Sequence, residues 1–168
     1  MINFTTMPIA YYHTPVGIAK ITADDDFITA INITDDEDIA IDPPQSELLK
    51  LAIEQLDEYF AGKRKLFDLP IKQSGTDFQQ QVWQNLLSID YGTTVSYAQL
   101  SNQMKSPLAI RAIAAANGKN SLWIVVPCHR VIGSDGSLTG YAGGLWRKQW
   151  LLEHEATTLG VGQIKMPF

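Results

Sequence analysis

Cys128 is the only cysteine in the 168-residue chain, and it stands in the stretch "VVPCHRVIG" with a proline before it and His129 and Arg130 after it. A lone thiol cannot form an internal disulfide or supply the paired thiolates of a Cys-rich zinc site, so it is either inert packing or chemistry. Two potential cations beside the sulfur favour the thiolate, which is the nucleophilic form. A histidine that activates a cysteine needs a carboxylate to orient it, and Glu155 in "WLLEHE" is one that folding could bring close. A free cysteine on a buried apolar strand is more often inert, so the residue types by themselves leave both readings open.

The flanking elements must position these groups. The apolar run "LWIVV" (122–126) predicts a buried strand that delivers Pro127 and Cys128 at its rigid end. "GSDGSLTGYAGG" predicts a glycine-rich hairpin and loop resembling a wing, and "LWRKQWLLEHE" a closing helix that carries Glu155. Upstream, "TDFQQQVWQNLLSI" has Thr76 and Gln79 in capping-box register, with Phe78, Val82, Leu86 and Ile89 on one stripe, and "SYAQLSNQM" repeats the box with Ser96 and Gln99. "KSPLAIRAIAAANG" predicts a further helix with Ser106 as its cap, Pro107 at its first position and Asn117-Gly118 as its stop. Two short helices joined by a turn are the helix-turn-helix pattern, which plain packing units share. The second of them has small side chains around Arg111, so it either packs tightly in a core or lies in a minor groove with Arg111 entering the base stack.

The first half reads differently. "IAYYHT", "GIAKITA" and "FITAINI" predict an antiparallel meander, and "SELLKLAIEQLDEYFAG" a helix capped by Ser46, with Leu49, Ile53, Leu56 and Phe60 on one face and a stop at Gly62. "LPIKQSG" (69–75) has linker character. The expected fold is therefore α+β, with a small α/β domain over 1–75 built on an antiparallel sheet and a mostly helical winged helix-turn-helix domain over 76–168.

Charge divides the same way. Residues 1–75 carry thirteen acidic and six basic side chains and 76–168 carry five and seven, so the overall −5 is an N-terminal property. Much of it lies in "ADDD" and "DDED", which read as solvated loops without metal-ligand spacing. At 45% apolar content the chain can bury a core. It shows no leader and no apolar run near the ~20 residues a membrane span requires, so a soluble cytoplasmic protein with no membrane association is expected.

"PCHRVIGSDGSLTGYAGGLWRKQWLLEHE" resembles the active-site region of the O6-alkylguanine-DNA alkyltransferases, the methylated-DNA–protein-cysteine methyltransferases. "YGTTVSYAQL", the helix around Arg111, Asn120, "GYAGG" and "WLLEHE" follow in that family's order and spacing. The match is close over 76–168, whereas 1–75 agrees only in length and element order with the family's ribonuclease H-like domain. The resemblance implies single-turnover DNA repair, in which Cys128 accepts the alkyl group of O6-methylguanine, and of O4-methylthymine, from double-stranded DNA containing O6-alkylguanine. It implies that Glu155 orients His129, that His129 draws off the thiol proton through a water, and that Tyr97 protonates the departing guanine. Asn120 would shape the turn before the site, and Arg111 would fill the gap left by the flipped nucleotide. Ala109, Ala112, Ala115, Ser96 and Thr94 would meet DNA, and Tyr141, Ala142, Val131 and Pro127 would line the pocket. No cofactor, no metal and a monomeric protein are implied.

Departures from the family pattern are Ser121 after Asn120 in place of proline, Ala114 and Ala115 in place of glycines, and Ala142 where some members have serine. Other classes remain: a module that binds alkyl lesions without repairing them, which the presence of Cys128 opposes, and a Cys-His-Glu hydrolase or redox thiol, which would survive many turnovers.

Overall fold

The three β-branched segments of the first half pair as an antiparallel sheet in sequence order, β1 (Ile9–Thr14), β2 (Gly17–Ala23) and β3 (Ile28–Thr34), with Ala10 opposite Ile21 and Ile21 opposite Ile31. The computed structural model describes residues 7–160 of the chain. Those residues form two compact units, one ending at Gln73 and the other beginning at Ser74.

In the first unit, helix α1 (Glu47–Phe60) starts where Ser46 Oγ accepts from the Leu49 amide at 3.2 Å, and it covers the sheet. Leu49, Ala52, Leu56 and Tyr59 form its buried stripe with Ile21, Ile28 and Ile31 beneath. Ile53 and Phe60, expected on that face, are only half-buried. The face is rotated because Phe67, from the loop after the helix, packs against Tyr59 with ring centroids 5.6 Å apart. That loop is tied back by Gln55, whose amide donates to Asp68 O at 2.9 Å and accepts from Asp68 N at 2.8 Å. Both acidic runs lie in exposed or half-exposed loops, as expected of solvated charge.

The second unit runs α2 (Asp77–Leu86), β4 (Val95–Ser96), α3 (Tyr97–Gln103), α4 (Ile110–Gly118), β5 (Val131–Ile132) and α5 (Leu145–Leu159). Thr76 and Ser96 both make the predicted capping boxes. α4 begins later than expected. Ser106 to Ala109 form a turn closed by Ala109 N on Ser106 O at 2.9 Å, and the Ser106 hydroxyl donates to Met104 O, so neither Ser106 nor Pro107 starts the helix. Trp83 ties α2 to α4 through its indole N–H on Ala116 O at 2.9 Å. Gly75 leaves room for that ring, since a Cβ there would lie 2.5 Å from Trp83 Cη2.

Two further expectations fail. Beyond a single bridge position at Leu122, Trp123 to Val126 is a coiled turn rather than a strand. Its amides fold back on themselves, Val125 N on Trp123 O at 2.8 Å and Val126 N on Leu122 O at 2.9 Å. Ile124 sits at φ 69°, in the left-handed region that a β-branched residue enters only under strain of about 1–3 kcal/mol. The glycine-rich segment closes by a turn, Gly133 N on Ser137 O at 2.8 Å, without a hairpin ladder. The only pairing near it among the described residues is parallel, β5 with β4.

Candidate active site

Cys128 opens a single 3-10 turn, Cys128–Arg130, immediately after the coiled loop. Asn120 braces that loop, with Nδ2 donating to Val126 O at 2.8 Å and Oδ1 accepting from Leu122 N at 3.0 Å. Cys128 is 6% exposed. Burial pushes its thiol up, opposed by hydrogen bonding from Asn120 and by the charge of Lys148.

α5 brings Glu155 to the same turn. His129 Nε2 lies 2.6 Å from Glu155 Oε2, and both side chains are fully buried. A carboxylate only accepts, so Nε2 carries the proton and Nδ1 is the bare nitrogen. His129 Nδ1 is buried and bonds no protein group. Burial holds His129 below its ordinary value despite the opposing pull of Glu155, which keeps the ring neutral.

Glu155 is saturated. Oε1 accepts from Arg130 Nε at 2.8 Å and from the Gly92 amide at 3.1 Å, and Oε2 accepts from Arg130 Nη2 at 3.2 Å as well as from His129. Burial raises its pKa, but His129 and Arg130 outweigh that and hold the carboxyl well below the usual range. Gly92 must be glycine here: it has φ 75°, and a Cβ would collide with Leu159 at 2.1 Å. Arg130 also donates to Ile89 O at 2.8 Å and lies over the Tyr91 ring. It therefore serves Glu155 and does not face the sulfur, contrary to its expected part in favouring the thiolate.

Tyr97, at the start of α3, joins the site through Asn117 Nδ2, which donates both to the tyrosine oxygen at 3.3 Å and to Cys128 O at 3.4 Å. Burial raises the phenol, so Tyr97 keeps its proton at neutral pH. Pro127 and Val131, which bound the 3-10 turn, are buried, and Tyr141 is raised well above the ordinary tyrosine value by burial first and by Cys128 second. Ala142 is exposed on the loop leading to α5. That loop is held by Arg147, which donates to Gly143 O at 2.7 Å, and by Lys148, which donates to Thr139 O at 3.0 Å.

The remaining expected residues lie apart from this network. Arg111, Ala112 and Ala115 form an exposed face of α4, while Ile113, Ala116 and Asn117 turn inward. Ala109 and Thr94 are half-buried, and the Ser96 hydroxyl is occupied in capping α3. Gly92, Asn117 and Lys148 are site residues that sequence reading missed, and Arg130 was read with the wrong partner. Lys148 had a signal: with Leu151, Leu152 and Glu155 it makes an i, i+3, i+4, i+7 stripe, so one buried face of α5 carries two charges. Among the described residues, no group of three or more His, Cys, Asp or Glu is placed to hold a metal ion, and no helix is long and apolar enough to cross a membrane.

A buried thiol next to a neutral histidine, which a saturated carboxylate holds in one tautomer, is an arrangement that can use one cysteine as a nucleophile. Residues 77–157 match the family model for the 6-O-methylguanine DNA methyltransferase DNA-binding domain, and residues 7–73 match the model for that family's ribonuclease-like domain. A methylated-DNA–protein-cysteine methyltransferase of Methanosarcina acetivorans is 38% identical over 156 residues, covering 90% of this chain and 99% of its own. One from Mycobacterium bovis is 54% identical over 104 residues, 62% of this chain, and the chain spans 63% of that relative's length. The crystal structure of the Mycobacterium tuberculosis OGT in complex with DNA superposes with a TM-score of 0.81 at 39% identity, covering 89% of this chain and 93% of that one. The chain belongs to the 6-O-methylguanine-DNA methyltransferase family.

Proposed function

We propose that this protein repairs alkylated DNA by moving the alkyl group of O6-alkylguanine irreversibly onto Cys128. The observation that carries the reading is the Glu155–His129 pair beside Cys128, with the protonated Nε2 pinned at 2.6 Å and the basic Nδ1 left unbonded. His129 Nδ1 takes the thiol proton through a bridging water, and Glu155 stabilises the imidazolium that forms. The thiolate attacks the alkyl carbon, the carbon–O6 bond breaks, and Tyr97 gives a proton to the departing base. The net change is thiol to thioether and alkylguanine to guanine, which consumes no cofactor. A thioether has no good leaving group, so each molecule reacts once.

A buried thiol cannot reach an alkyl carbon inside a stacked duplex, so the nucleotide must be extruded. In this reading the exposed face of α4 enters the minor groove, where Ala109, Ala112 and Ala115 permit close approach and Arg111 occupies the vacated stack. Thr94 and Ser96 contact the backbone, and Tyr141, Ala142, Val131 and Pro127 line the pocket. The mycobacterial relative solved with DNA supports a DNA partner. We assign these tasks to the domain spanning 76–168 and assign the protein to the cytoplasm as a monomer, since a reducing compartment preserves a lone reactive thiol.

Incubation with an oligonucleotide containing O6-methylguanine, read by intact mass and peptide mapping, is expected to add one methyl group, about 14 Da, at Cys128 and to stop at one equivalent. Sustained turnover would instead indicate a hydrolase.

A further inference from the structure

Lys148 is 0% exposed, and nothing in the mechanism above uses it. Its ammonium donates to a backbone carbonyl, Thr139 O at 3.0 Å, and not to a carboxylate. Burying an ammonium without an anion is costly, and a structural lysine would ordinarily be replaced by an apolar residue or reach solvent. Its helix, α5, packs on the 3-10 turn, which brings the ammonium within electrostatic reach of Cys128 and His129, and the Tyr141 ring centroid lies 6.0 Å from Nζ. Of these, Cys128 is the one that becomes an anion during the reaction. Glu155 lies one heptad further along the same helix face, but its four acceptor positions are taken by His129, Arg130 and Gly92. Arg130 in turn is spent on Glu155 and Ile89 O.

We propose that Lys148 is a positioning residue whose ammonium serves as the counter-charge of the Cys128 thiolate and whose bond to Thr139 fixes the pocket loop to that charge. The inference rests on the thiolate chemistry proposed above. Lys148 keeps its proton throughout, and the thiol proton leaves by way of His129. Burial brings the lysine down to about 8, with Cys128 pulling the other way, so the charge is present at neutral pH and is lost in mild alkali. The reactive form is therefore thiolate with ammonium. Its population rises as pH rises towards about 8 and then levels, because further deprotonation removes the lysine charge instead of adding reactive pairs.

Cys128 is the only thiol, so the rate of its carboxamidomethylation by iodoacetamide reports its thiolate without requiring DNA or repair activity. For the wild-type protein, log rate against pH should bend near pH 8. Lys148→Met should react at least about tenfold more slowly at pH 7 and show no bend near 8, its thiolate forming only at higher pH. Lys148→Arg, which keeps its charge in alkali, should restore the neutral rate and also lose the bend. If Lys148 only holds the loop, Lys148→Met will follow the wild-type profile with its bend in place, and the proposal falls. A bend retained in Lys148→Arg overturns it equally. Should neither variant fold, the wild-type profile decides: a line of unit slope through pH 8 excludes the counter-charge. Methyl transfer from O6-methylguanine to the wild-type protein is measured in parallel, so a failed repair reading is separate from a failed lysine role.

Discussion

Among the described residues of the unit ending at Gln73 the buried side chains are apolar except Gln55, whose amide is used up on the backbone of Asp68; in the unit beginning at Ser74, His129, Arg130, Lys148 and Glu155 are all at or below 6% exposure. The first arrangement is what stability alone selects, since hydrocarbon burial contributes about 25 cal/mol per Å² and needs no partner. The second is expensive, because each buried ion gives up its hydration and must recover it from fixed neighbours. Glu155 does so completely and Lys148 does not. A domain accepts such a cost where the charges have a task, and the surplus of buried polarity marks the chemical half of this chain more clearly than its net charge does.

Glu155→Gln tests that contrast most severely. The amide keeps the shape but cannot stabilise an imidazolium or satisfy both His129 and Arg130 as acceptor, so methyl transfer should slow by ~10²-fold or more while binding to undamaged duplex stays nearly intact. Single-turnover kinetics with a methylated oligonucleotide measure it, and a wild-type rate would make Glu155 a purely structural residue. The opposite experiment is Leu56→Ala in the unit with the apolar core, which should cost ~2–5 kcal/mol in denaturant unfolding yet leave the alkylation rate of folded protein by the free modified base unchanged. A fall in that rate would show that the first unit shares in the chemistry.

Acid should find the same division. His129 and Glu155 both have folded pKa values below their ordinary ones, so the folded state binds fewer protons than the unfolded state. Their contribution to stability is complete above about pH 6.5 and is lost as pH falls, first through His129 and then, below 4.5, through Glu155. Denaturant titrations at stepped pH should show this decline, and Glu155→Gln should flatten its lower part; constant stability from pH 7 to pH 4 would contradict the network. The smallest effect belongs to the exposed face of α4. Arg111→Ala should weaken repair of duplex about tenfold more than reaction with the free base, which needs no extrusion. Equal losses would assign Arg111 to the pocket or the fold.

Much of the architecture was legible because it is local. The capping boxes at Thr76 and Ser96, the cap at Ser46 and the three-stranded meander depend on residues three or four apart, or on alternation within a strand, and all of them form. Reading failed where local preference met a tertiary demand. Ser106-Pro107 is a good helix start by itself, but the chain spends those residues on a turn before α4. "LWIVV" has every mark of a buried strand, and it is buried, yet the Asn120 side chain takes the backbone groups that a ladder would need and coils the segment.

The sequence alone determined that one thiol is available, that histidine and arginine follow it, and that a carboxylate lies 27 residues later on a helix. Those facts are chemical identities and spacings, which no folding can alter, and they suffice to recognise the family. Only the tertiary structure decided which cation serves which anion. Arg130 is two residues from Cys128 in the turn, yet it donates to Glu155 at 2.8 Å; Lys148, twenty positions away, is the buried cation whose charge opposes the effect of burial on the thiol. Electrostatic partnership depends on distance and on who else has already been satisfied, and neither is written in the order of residues.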